Sequence, residues 1–282
     1  MSKVAIVTDS SAYLPKALVE QYGLTVIPLT LTWDGVNYRD GVDIAAKEFY
    51  TRQLSAKTLA TTSQIPVVQF TDVFKPLLDS GHDVFYTGIS SGISASLQSA
   101  EQAKVELGNP SNLCVMDSQQ VAMSLGLMVL TAARAVEAGA DLKGCQQAAE
   151  DAFTRTQVFF TVNTLEYLHR GGRINTAARL LGSTLNLKPV MEIRGGKIEL
   201  VESVRSRKNA INRLLDLAEK GINGRTPVRL SPFHALCEEE ALALEAAAVE
   251  RFHPVEVIRS EISPVIGAHV GPGTLALAFM AG

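Results

Sequence analysis

In the first half of the chain, short β-branched or aromatic runs at 4–7, 24–32, 83–86 and 113–116 alternate with stretches whose apolar positions recur at helical spacing, at 15–22, 45–55, 67–80, 94–107 and 121–138. Strands that alternate with helices are joined by crossovers, so this half predicts a doubly wound, largely parallel α/β sheet. After a polar helix at 142–156 the pattern changes. Strands at 158–162, 189–193 and 197–201 follow, and Arg194-Gly195-Gly196 between the last two predicts a tight antiparallel hairpin. A helix at 206–220, a strand at 228–232, a helix at 238–252 and strands at 255–258 and 274–279 complete a unit of mixed strand order. The chain is therefore expected to form an N-terminal α/β domain over 1–155 and a C-terminal mixed α/β domain with antiparallel strands over 156–282. No repeat, low-complexity tract or Pro/Gly/Ser-rich linker separates the halves, which predicts tight packing with a binding cleft at the seam.

Thr8-Asp9-Ser10-Ser11, Thr61-Thr62-Ser63-Gln64 and Ser90-Ser91-Gly92-Ile93-Ser94 are hydroxyl-rich segments that read as turns after strands. At the carboxyl ends of sheet strands, hydroxyls and helix N-terminal amides converge on anionic or polar ligand groups. Each segment alone is explained by helix capping. Their joint density points to a site for a polar head group.

The net charge of -3 excludes the basic footprint that neutralises nucleic-acid phosphates. Cys114, Cys145 and Cys237 have no C-x-x-C or Cys/His ligand spacing, so neither a disulfide framework nor a metal site is encoded and a cytoplasmic location is expected. The N-terminus lacks the features of a signal peptide, so the mature chain is expected to start there. The longest apolar stretch, 121–136, is interrupted by Ser124, Thr131 and Arg134 and is shorter than the roughly 20 residues that span a bilayer. It reads as a buried core helix, with no stable membrane insertion.

Several motifs carry candidate chemistry. Gly88-Ile89-Ser90-Ser91-Gly92 matches G-x-S-x-G between a strand and a helix, and Ser90, Asp117 and His269 follow the order of a hydrolase triad. Serine esterase is thus the alternative reading, although only two clear strands precede the one that leads into Ser90 and no Gly-rich oxyanion loop lies upstream. An aspartyl phosphatase would carry a second Asp two residues after Asp9, where Ser11 stands. No nucleotide-cradling glycine loop is present, which argues against an autonomous kinase. His269 lies in a Gly/Pro-rich segment, 264–274, expected to be a turn that lets an imidazole approach a ligand. Arg170 and Arg173 flank a Gly pair that ends a predicted helix, where capping electrostatics suffice to explain them and a phosphate or partner contact is the weaker alternative. Arg205 is either a solvated charge or a fork for carboxylate or phosphate.

The ordered set of Val7-Thr8-Asp9-Ser10-Ser11-Ala12, Thr62-Ser63-Gln64, Ser90-Ser91-Gly92-Ile93-Ser94, Asp117-Ser118, Thr164-Leu165-Glu166-Tyr167-Leu168 with Arg170-Gly171-Gly172-Arg173-Ile174, Leu187-Lys188-Pro189 and Gly267-Ala268-His269-Val270-Gly271-Pro272-Gly273-Thr274 resembles the DegV family along the whole chain. The resemblance implies a two-domain α/β protein that encloses a long-chain fatty acid in an apolar tunnel. It further implies a non-catalytic carrier, without a cofactor, that presents the carboxylate to a separate ATP-dependent fatty acid kinase subunit for conversion to acyl phosphate. Carried over by motif, Thr62 and Ser94 would bind the carboxylate, with His269 and Arg205 beside the head group. Where the family often continues the serine loop with Gly-Thr and the Thr-Ser-Gln turn with Pro, this chain has Ala95-Ser96 and Ile65-Pro66.

Overall fold

A computed structural model describes residues 3–180 and 187–282. Four parallel strands, β1 (Val4–Asp9), β2 (Thr25–Ile27), β6 (Asp83–Gly88) and β7 (Leu113–Asp117), form the first sheet in the order β2-β1-β6-β7. Helices α3 (Val67–Asp79) and α4 (Ser96–Glu106) pack on one of its faces, and α5 (Ala122–Glu137) and α6 (Leu142–Arg155) on the other. This is the expected doubly wound arrangement.

The second sheet has seven strands. Its main path is β10 (Lys197–Val204), β9 (Lys188–Arg194), β8 (Thr156–Thr161), β14 (Leu275–Ala281), β11 (Val228–His234) and β12 (Glu256–Val257), and β13 (Ser260–Glu261) also pairs with β11. Pairing is antiparallel from β10 to β11 and parallel where β12 and β13 join, so the C-terminal half is mixed α/β as expected. The β9–β10 hairpin turns at Gly195-Gly196, both at positive φ (56° and 74°), a conformation glycine adopts without steric cost.

Strand alternation separates two cores around this sheet. In β14, Leu275, Leu277 and Phe279 join the outer cluster with α8 (Arg207–Ile222) and α9 (Glu238–Phe252). Ala276, Ala278 and Met280 point to the inner cluster, as Val158 and Phe160 do from β8. Helix α5 lies in that inner layer, against β1 on one side and β8, β11 and β14 on the other. Such a position explains why it is apolar on nearly every face, with buried residues running without interruption from Ala122 to Leu130.

Three expectations are corrected. The apolar run at 24–32 is not one strand. It breaks at Pro28, which has no amide hydrogen for a ladder, and its second part becomes β3 (Thr30–Trp33) of a small antiparallel sheet ordered β4-β3-β5. In that sheet β4 is Val36–Arg39 and β5 is Thr61–Ser63, so the Thr61-Thr62-Ser63 segment is a strand rather than a turn. His269 lies not in a turn but in α10 (Pro264–Val270), with Ser263 as its cap, Pro264 in its first turn and Gly271 ending it.

Candidate functional site

The inner faces of the two units enclose a cavity of about 390 Å³, within the range of small-molecule sites. Val158, Phe160, Phe233 and Ala276 line it from the seven-stranded sheet, with Ile89 and Ile93 contributed by the loop after β6. Ala276 pairs with Phe160 on one side and Phe233 on the other, so a small side chain lies between two rings on this floor. Its polar lining includes Thr62, Ser94, Arg173 and His269.

Thr62 reaches the cavity because β5 pairs in register with β3, leaving Thr61 and Ser63 more exposed on either side of it. Its Oγ1 lies 2.7 Å from His269 Nε2. Helix α10 holds His269 from several directions. Ser263 Oγ accepts from Ile266 N, and the buried Asp40 carboxylate accepts from Val265 N at 3.3 Å and from Ser10 Oγ at 2.6 Å. A Cβ on Gly267 would lie 2.3 Å from Tyr50 Oη, and one on Gly171 would lie 2.2 Å from His269 Nδ1. Gly171 has an ordinary φ of -75°, so its missing side chain serves close approach to the imidazole rather than backbone strain.

Burial, reinforced by the nearby Arg173 charge, pushes the His269 pKa down to about 4. The ring is therefore neutral at pH 7. Asp40 moves the other way: burial raises its pKa to about 7, against the lowering effect of its hydrogen-bond donors.

Ser94 is positioned by the turn after β6, in which Ser94 N donates to Ser90 O at 3.0 Å. Its Oγ lies 3.0 Å from Ser96 Oγ and accepts from Ser96 N at 3.3 Å. Arg173 is fixed beside this loop, donating to Gly171 O at 2.5 Å and more weakly to Ile93 O at 3.4 Å. Sequence reasoning preferred helix capping for Arg173 over a phosphate or partner contact and gave Ser96 no role at the site, although the Gly171-Gly172-Arg173 run was visible. Arg205, carried over from the resemblance, is exposed in the bend between β10 and α8 and is not among the residues lining the cavity.

The first hydroxyl-rich segment does not meet the other two at the cavity. Its Asp9 is buried and accepts from Ser11 N, Ser11 Oγ, Ile89 N and Tyr86 Oη, tying the ends of β1 and β6 together. Burial raises the Asp9 pKa despite these donors.

The same network explains the glycines of G-x-S-x-G. A Cβ on Gly88 would lie 2.2 Å from Asp9 Oδ2, and one on Gly92 would lie 2.4 Å from Gly196 O. Ser90 is buried; its Oγ donates to Gly196 O at 2.7 Å and accepts from Gly92 N at 3.1 Å. Asp117 accepts from Ser91 Oγ, Ser91 N and Gln119 N, while His269 faces Thr62. Ser90, Asp117 and His269 thus serve three separate networks, which is not the nucleophile-base-orienter geometry of an esterase.

The DegV family model, described as an uncharacterised protein family, matches residues 3–282. The chain belongs to the DegV family. A DegV domain-containing protein of Streptomyces coelicolor is 36% identical over 97% of both chains, and the protein DegV of Bacillus subtilis is 32% identical over 97% of this chain and 98% of its own. Among solved structures, a fatty-acid-binding DegV family protein from Thermus thermophilus superposes with a TM-score of 0.94 at 32% identity, covering 99% of this chain and 100% of that one. DegV of Bacillus subtilis, described as a fatty acid binding protein, gives 0.90 at 30% identity with full coverage of both chains. A stearic-acid-binding protein from Eubacterium ventriosum gives 0.91 at 29% identity, covering 100% of this chain and 98% of that one. Among the described residues of this DegV protein, no helix is long and apolar enough to cross a membrane, and no cluster of three or more His, Cys, Asp or Glu is placed to hold a metal.

Proposed function

We propose that this DegV protein binds a long-chain fatty acid, with the hydrocarbon tail in the cavity and the carboxylate at Thr62 and Ser94, and presents that carboxylate to a separate kinase subunit. The observation that carries the reading is a largely apolar cavity whose lining includes two hydroxyls, Thr62 and Ser94, a neutral imidazole hydrogen-bonded to Thr62, and the Arg173 guanidinium close enough to act on that imidazole. The division of labour follows from magnitudes. Each buried CH₂ contributes roughly 0.8 kcal/mol, so a long tail supplies most of the affinity while the hydroxyls orient the head. A desolvated carboxylate requires directed donors, and Thr62 and Ser94 supply them.

In the kinase step a carboxylate oxygen attacks the γ-phosphorus of ATP bound to the other subunit. The bond to the bridging oxygen breaks and ADP leaves. The carrier's part is to hold the nucleophile and to stabilise charge near it, with Arg173 the cation in place at the cavity. The reading is tested by denaturing mass spectrometry of protein purified from cells, followed by titration with a fluorescent fatty acid. Release of an intact fatty acid and saturable binding are expected; absence of both overturns the function.

A further inference from the structure

We propose that Ala276 is a specificity-determining residue, whose small side chain leaves a groove between Phe160 and Phe233 that receives part of the hydrocarbon tail and so limits the length of chain the cavity takes. This inference rests on the fatty-acid reading above and adds a selection among tails to it.

The groove follows from strand register. Ala276 pairs with Phe160 of β8 and with Phe233 of β11, and directly paired residues of neighbouring strands point to the same face of a sheet. The two phenylalanines therefore stand two strand spacings apart, roughly 10 Å between their backbones. Between them Ala276 offers only a methyl group. All three residues line the cavity, so the depression opens towards the ligand. The other strand residues of this sheet that line the cavity, Val158, Ile193 and Ile198, are apolar as well, and none of Thr62, Ser94, Arg173 and His269 stands on the sheet. Such a floor suits methylenes and not a charged head.

Packing within the protein accounts for the next alanine on the same face but not for this one. Ala278 and Met280 are buried in the inner core and are not among the residues lining the cavity. Helix α5 packs against β14, with Thr131 Oγ1 3.6 Å from Met280 Sδ, and Val121 and Ala122 at the start of that helix line the cavity. A helix thus covers the far part of β14, where small side chains permit close approach. Ala276 faces the cavity instead, and a larger side chain there would take its space from the ligand. Each methylene denied the groove forfeits about fourfold in affinity, so tails long enough to occupy it should lose and shorter ones should not.

The test offers delipidated protein an equimolar mixture of lauric, palmitic and stearic acids, identifies the bound acids by denaturing mass spectrometry and titrates each acid separately. Ala276→Leu should lower the ratio of stearic to lauric acid bound by about tenfold or more while lauric acid affinity stays within about twofold. Ala276→Val, a milder change that suits a strand, should shift the ratio in the same direction by less. An unchanged ratio in both variants, or an equal loss of all three acids, would overturn the proposal. NMR of the unsubstituted protein decides even if neither variant folds: the carbon-13-labelled Ala276 methyl should show NOEs to chain protons of bound stearic acid, and their absence would exclude the groove as a tail site. Failure of the unsubstituted protein to bind any of the three acids overturns the function itself and this inference with it, whereas tight binding without contact at Ala276 overturns the inference alone.

Discussion

Thr62 and His269 are 207 positions apart in the chain, and their side chains meet at 2.7 Å. One belongs to the small antiparallel sheet of the N-terminal half and the other to a short helix near the C-terminus. The head-group site proposed at these two residues would exist only when both halves are folded against each other, so ligand binding there would depend on the packing of α10 on β5.

Loss of a hydroxyl should therefore affect orientation more than capture. Thr62→Val and Ser94→Ala are each expected to reduce fatty-acid affinity by about 1–3 kcal/mol, the scale of an unmet hydrogen bond to a charged group. Most of the affinity should survive, because in the proposed mode it would reside in the tail. Titration of the single and double variants with a fluorescent fatty acid measures this, and a double variant with unchanged affinity would refute the placement of the carboxylate.

Stability should respond to pH through two groups with opposite signs. His269 protonates near 6.5 in the unfolded chain but only near 4 in the fold, so the unfolded state binds more protons between those values. Its contribution is fully present above about pH 6.5 and is lost as pH falls to 4. Asp40 ionises near 3.8 unfolded but near 7 folded, so its contribution is lost as pH rises across that interval. Urea unfolding at a series of pH values should show His269→Gln more resistant to acid between pH 6.5 and 4. Asp40→Asn should flatten the opposing decline between pH 4 and 7. A parallel shift of the whole profile in both variants would count against this assignment.

Much of the fold was legible because the helices are long and strongly patterned: α9 coincides with its expected limits, and α5 differs from the expected 121–138 by one residue at each end. The failures share a cause in short elements whose identity depends on distant partners. Leu24 to Thr32 is apolar enough to read as one strand, and only the competition between two sheets reveals Pro28 as a break. The run Thr61-Thr62-Ser63 has no apolar alternation, so nothing local distinguishes a turn from a strand completed by β3. In α10 the glycines suggested a loop, but Gly267 reflects contact with Tyr50, while the Ser263-Pro264 start signal was present in the sequence. Thr62, Ser94 and His269 were found through the ordered motifs and do line the cavity, whereas Arg173 was hidden by an adequate local explanation at the end of a helix.

Ser90 should behave as a structural tether. Its buried Oγ joins the loop after β6 to the turn of the β9–β10 hairpin through Gly196 O. Ser90→Ala is expected to lower stability by about 1–3 kcal/mol, the cost of leaving a buried carbonyl unmet. A fluorophosphonate probe should leave Ser90 unlabelled. Covalent labelling of this residue in the folded protein would instead revive the esterase reading.

Arg173 lines the cavity, whereas Arg205 lies exposed outside it. The Arg173 guanidinium lines the cavity beside His269 and is held by Gly171 O and Ile93 O, so it can contribute to the potential at a bound carboxylate and at a phosphoryl group arriving there. Arg205 is exposed and outside the cavity, where solvent screens its charge. Arg173→Ala is therefore expected to weaken fatty-acid binding several-fold and, with a cognate kinase subunit and ATP, to slow acyl-phosphate formation by roughly tenfold or more, about 1.4 kcal/mol of barrier. Arg205→Ala should leave fatty-acid affinity within about twofold, since loss of one exposed charge changes a free energy by only a few tenths of a kcal/mol. If the exposed guanidinium contacts the kinase, its loss should raise the kinase concentration needed for half-maximal turnover and leave the saturated rate unchanged. Thermal melting of both variants first confirms that they fold. Equal loss of lipid affinity in the two variants would contradict the division drawn here and place Arg205 at the head group after all.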